Sequence, residues 1–155
     1  MADLQEMIDN IRENIKGYLA EVDPDFQEYD SGMFTVQEGS AVVGITVRPW
    51  HDDDVAVEFT SQLVNGAAIN ETTMRWLLEK NSELHFGAFG LLFDDTIHYS
   101  HSVPGTLLNA GTFAATVRTI AAIADHYDDE IVALAGGTLA SAGSTADESP
   151  AEVEA

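Results

Sequence analysis

The chain has no cysteine among its 155 residues. Disulfides, thiolate nucleophiles and cysteine-based metal sites are excluded. Basic residues are nearly as scarce, with 6 Lys and Arg against 27 Asp and Glu. A protein that grips phosphates needs basic side chains to displace their counterions, so nucleic acid is not an expected partner. No apolar run approaches the roughly 20 residues of a membrane helix, so no membrane span is expected. The opening stretch MADLQEMIDN is acidic and amphipathic, unlike a signal or transit peptide. These absences predict a cytoplasmic protein.

What is present is acid. The formal charge is -21. Residues 138–155 hold four acids and no base, and the remaining 23 acids and 6 bases leave -17 on the folded part. Self-repulsion of that size opposes compaction in dilute buffer. At molar salt the screening length falls to about 3 Å and most of it vanishes. With lysine limited to Lys16 and Lys80, the composition predicts a halophilic, salt-in cytoplasm. The competing explanation is an acidic protein with a basic partner.

Hydrophobic spacing then predicts the elements. Leu4, Ile8, Ile11, Ile15 and Tyr18 form one stripe of a helix over 3–21, which VDPDF stops. Met33–Val36, Ala41–Arg48 and Val55–Val64 alternate as strands, joined by QEGS and PWHDDD. A second helix starts at the N-cap Asn70, with Met74, Leu77 and Leu78 as its apolar face. FGAFGLLF and TIHYSHSV read as a hairpin turning at Asp94-Asp95. Phe113, Val117, Ile120, Ala124, Tyr127, Ile131 and Leu134 mark a last helix that Gly136-Gly137 ends. The order is α-β-β-β-α-β-β-α, an α+β domain over 1–137 with an antiparallel sheet and helices mainly on one face. Residues 138–155, small, polar and acidic, are expected to be a disordered tail.

Candidate chemistry is thin. His98 and His101 lie three apart on a strand and so point to opposite faces, unable to share a metal. Parity puts His101 at the core edge and His98 on the wetter face. His51–Asp54 lacks the ligand spacing and glycine of a calcium loop and reads as a solvated turn. Ser100 has no nucleophile-elbow glycines around it. GAFG enters a strand and lacks the G-K-[ST] of a phosphate loop. His126 reads as a surface residue beside Asp129 and Glu130. No cofactor, metal site or enzymatic activity is expected. On the non-core parity the strands place Thr46, Arg48, Glu58, Thr60, Gln62, His98 and Ser100 on one face, a candidate partner-contact surface.

The stretch LLEKNSELHFGAFGLLFDDTIHYSHSV, followed by VRTIAAIADHYDDEIVALAGG, resembles the YbjN family and its type III secretion chaperone-like fold. The matching features are a Leu-Leu helix running through an Asn, an FGAF corner, a strand pair ending in HS, and a final helix with ADxYDDE and a glycine pair. With the strand meander the resemblance spans about residues 3–137. It implies an α+β domain, commonly dimeric, that binds extended segments of a partner polypeptide without an established enzymatic activity. The acidity, the HDDD turn and His85 depart from what the resemblance implies.

The function expected is therefore a non-enzymatic, chaperone-like or regulatory module that binds a partner polypeptide as a homodimer. Edge-strand addition or a groove against a helix are the binding modes to look for. Two alternatives stand beside it. One is a small-ligand sensor or enzyme using His98, Glu58 and Ser100; the other is a structural subunit of a larger complex. At the FGAFG corner, Gly87 and Gly90 are expected to permit close backbone approach, with Phe86 and Phe89 filling the junction beneath the last helix.

Overall fold

The computed structural model describes residues 3–143. Helix α1 (Leu4–Val22) begins where Asp3 accepts the Gln5 N–H and ends at an extended Asp23, the residue before Pro24. It buries Ile11, Ile15 and Leu19. Four strands follow: β1 (Gln27–Glu28), β2 (Phe34–Glu38), β3 (Ala41–Trp50) and β4 (Asp54–Asn65). Helix α2 (Glu71–Glu83) is capped by the Asn70 side chain, as expected. Strands β5 (Ala88–Leu91) and β6 (Ile97–Pro104) form a hairpin whose turn places Asp95 in the left-handed region. A short 3-10 turn (Gly105–Leu107) leads to α3 (Ala110–Ala135), capped by Asn109. Strand β7 (Thr138–Leu139) and α4 (Ala140–Gly143) complete the described chain.

The sheet runs β1-β2-β3-β4-β6-β5, with β7 paired to β4 and every pairing antiparallel. Helices α1 and α3 pack on the middle strands, and α2 packs on β5. Alternation in β3 and β4 drives this arrangement. Ala41, Val43, Ile45, Val55, Val57 and Phe59 are buried on one face, and Phe59 meets Phe113 of α3 at 5.4 Å between ring centroids. The α+β class and the order of the main elements agree with the sequence reading, to which the structure adds the two-residue strands β1 and β7.

Four expectations need correction. The composition predicts a disordered tail from 138 onward, yet Thr138 and Leu139 pair with Asn65 and Val64, and Ala140 is buried. The rest of that expected tail, 144–155, lies outside the described residues. The spacing predicts Met74, Leu77 and Leu78 as the apolar face of α2, but Met74 and Leu78 are exposed, and Thr73 and Leu77 are the buried residues. Phe89 fills the junction beneath α3, against Trp76, Tyr99 and Tyr127, whereas Phe86 is 60% exposed. Leu134, expected on the inner stripe of α3, is also exposed.

Candidate functional site

Among the described residues no helix covers the sheet face turned away from α1 and α3, and the seven expected contact residues meet on it. Cross-strand register sets Thr46 opposite Glu58, Thr60 opposite Ser100 and Gln62 opposite His98. Arg48 and Glu58 form an ion pair at 2.9 Å. Thr46, Glu58, Thr60, His98 and Ser100 are half-buried by their neighbours, while Arg48 and Gln62 are exposed. The His98 ring lies over Gly90, where an added Cβ would come within 2.8 Å of Nε2. Its Nδ1 is buried with no hydrogen-bond partner among the described residues, and burial pushes the imidazole below its ordinary pKa.

His101 points to the opposite, helix-side face, as strand parity requires. It is half-buried and packs edge-on against Phe86 at 6.2 Å. The HDDD turn is likewise accounted for by structure. Asp54 accepts hydrogen bonds from Val55 N–H and from both the N–H and hydroxyl of Thr106, tying the start of β4 to the 3-10 turn. Burial pushes the Asp54 carboxyl up, but these bonds together outweigh it and hold its pKa below the ordinary value. Among the described residues no group of three or more His, Asp or Glu gathers in a way that could hold a metal.

A second feature escaped the sequence. Between β6 and α3 runs an open groove of about 260 Å³. The strand side of it is Phe86, His101 and Val103, and the helix side is Thr112, Ala115, Thr116, Thr119 and Ile120. Among the described residues no carboxylate and no Lys or Arg lines it, which is unusual on a surface this acidic.

The backbone beside the groove is also open. Asn81 of α2 accepts the Phe89 N–H at 2.7 Å and donates its amide N–H to the Phe89 carbonyl at 3.2 Å. The main-chain groups of Phe89 therefore face away from β6, and the outer edge of β5 is closed by a side chain. Antiparallel ladders alternate their hydrogen-bonded pairs. Phe89 is opposite Tyr99, so the groups of Ser100 face β5 and those of Ser102, two residues on, face the same way. Strand β5 does not reach Ser102, because it begins at Ala88 opposite Ser100. Gly87, at φ 82°, turns the preceding chain off β6, and the Tyr99 hydroxyl holds it there by donating to the Phe86 carbonyl. Ser102 thus presents an outward N–H and C=O next to the groove. Pro104, with no N–H to offer, ends this edge.

Comparison with curated protein sequences gives no match. Solved structures do resemble the chain. A chain of the ExsC–ExsE complex aligns with a TM-score of 0.62 and 15% identity, over 83% of this chain and 96% of that one. The HopA1–SchA chaperone–effector complex gives 0.57 at 10% identity, over 76% and 95%. The Yersinia pestis type III secretion chaperone SycH, in complex with a stable fragment of YscM2, gives 0.52 at 14% identity, over 75% and 98%. At these identities the likeness shows the fold. A family model, TY-Chap1, matches residues 2–143, and by that match the chain belongs to the family described as T3SS (YopN, CesT) and YbjN peptide-binding chaperone 1.

Proposed function

We propose that this protein is a non-enzymatic, chaperone-like module that holds an extended segment of a partner polypeptide along β6 and α3. The observation that carries this is the uncharged groove lying beside the unpaired edge at Ser102. An extended segment satisfies both at once, giving main-chain hydrogen bonds to the edge and side chains to the groove. Membership in a family of peptide-binding chaperones supports it, as do the chaperone–effector complexes among the structural neighbours. A random peptide library selected against the full chain tests the proposal. The selected binders are expected to be lost on Ala115→Trp, which fills the groove from an exposed helix position. Binding that all survives this substitution would contradict it.

We also propose that the module works as a homodimer in a cytoplasm of high salt. Exposed apolar side chains on the outer side of α2, Met74 and Leu78, stand one turn apart. That helix carries Glu71, Glu79 and Glu83 against Arg75 and Lys80, a net -1 in a chain of -21. The helix therefore adds little to the repulsion that a second copy meets. The open sheet face bearing Thr46, Arg48, Glu58, Thr60, Gln62, His98 and Ser100 is proposed to contact the partner polypeptide.

A further inference from the structure

We infer that the recognised segment alternates β-branched or aliphatic residues with basic ones. This rests on the groove and the Ser102 edge being the polypeptide site. A strand added to β6 continues the pleat of the sheet, so its successive side chains point to opposite faces. On one face they enter the groove between Phe86, Val103 and Ala115, which accepts apolar groups and lacks any carboxylate or ammonium partner. On the other they lie on the open sheet face, beside Ser102 and, one strand further in, Glu58. One bound strand therefore reads both surfaces, and neither is sufficient alone.

The sign of the charge follows from the same face. Its one cation, Arg48, is held by Glu58 at 2.9 Å. The molecule around it carries -21. A field of one sign selects the opposite sign in a partner and penalises its own. The acceptor edge is also short. The side chain of Asn81 closes β5, and Pro104 ends the outward donors of β6. These two residues confine pairing to Ser102 and its immediate neighbours, which fixes which residues of the segment face the groove.

Fluorescence anisotropy on the full chain, with three labelled eight-residue peptides, tests the inference at 0.2 M KCl, where the charge preference is less screened, and again at 1 M KCl, where it is expected to shrink. One alternates valine and lysine, one has the same composition with its valines contiguous, and one alternates valine and glutamate. The valine–lysine peptide is expected to bind saturably. The contiguous and the glutamate peptides are each expected to bind about tenfold more weakly or less, the worth of roughly one buried side chain or one close charge contact. Ser102→Pro removes an outward N–H and is expected to abolish binding, whereas Ser102→Ala keeps the N–H and the affinity. Thermal melting of both variants separates loss of the edge from loss of the fold, and Ala115→Trp provides a second loss of site without touching β6.

Equal binding of the contiguous or the glutamate peptide would overturn the inference. So would failure of the valine–lysine peptide to bind, or binding that persists in either Ser102→Pro or Ala115→Trp when melting shows that variant folded, which is attraction of a cation to an acidic surface. Library binders that depend on the groove but do not alternate would overturn the pattern and leave the polypeptide site standing. Library binders indifferent to Ala115→Trp would remove the site itself.

Discussion

Gly87 decides where β5 begins and hence where the free edge of β6 lies. At φ 82° it occupies a region that side chains with a Cβ rarely adopt, and an added Cβ would lie 2.6 Å from the Ser100 carbonyl oxygen and 2.7 Å from the Tyr99 ring. Gly87→Val is expected to destabilise the fold by ~2–4 kcal/mol, from backbone strain plus overpacking. An unchanged melting curve in molar salt would contradict this. His98 gives a different residue-scale test. Burial holds its pKa below the ordinary 6.5, so below that value the unfolded chain binds more protons there than the folded chain. The group contributes nothing to stability at higher pH, and stability falls as pH drops from about 6.5 through the folded value. His98→Gln is expected to flatten the decline between pH 7 and pH 5 in denaturant titrations, and an identical slope in both proteins would rule this out. The strand positions of His98 and His101 were legible from parity alone. The exposure of Phe86 was not, because an exposed aromatic and one that fills a core have the same sequence signature.

At the scale of elements, alternation in β3, β4 and β6 is enough to assemble the open face from sequence, since residues of equal parity on paired strands must share a side. The groove needed tertiary information. Its two sides come from β6 and α3, and its opening depends on Gly87 turning the chain away and on where β5 starts. The short strands β1 and β7 were illegible because two residues carry no periodicity. Helix α2 shows the same limit from the other direction: Met74, Leu77 and Leu78 look like one apolar face, and only Leu77 is buried. The exposed pair is what the proposed homodimer would cover. Leu78→Asp adds a charge at a position that is 69% exposed, so the monomer fold tolerates it. Light scattering after size exclusion is expected to show a dimer for the unmodified chain and a monomer for Leu78→Asp. A monomer for both would remove α2 as a self-contact surface.

At the scale of the whole molecule, charge dominates. Among the described residues, five of the six Lys and Arg are within ion-pair distance of a carboxylate: Arg12 and Lys16 at Glu28, Arg48 at Glu58, Arg75 at Glu71 and Lys80 at Glu83. Such exposed pairs contribute little each, and 27 acids remain far in excess. The fold is therefore expected to gain stability as salt screens repulsion, with the melting temperature rising about 10 °C or more between 0.1 M and 3 M KCl. A flat or falling profile would exclude a high-salt habitat as the reason for the composition and favour a basic partner as its explanation. The central claim is that a partner segment pairs with the edge of β6 while filling the groove against α3. Amide hydrogen exchange at Ser102, with and without a library-selected peptide bound to the full chain, tests it most directly. The account predicts that exchange at Ser102 slows on binding while the already paired amides of β5 do not change. Protection that appears elsewhere on the molecule, with Ser102 exchanging as freely as before, would contradict it.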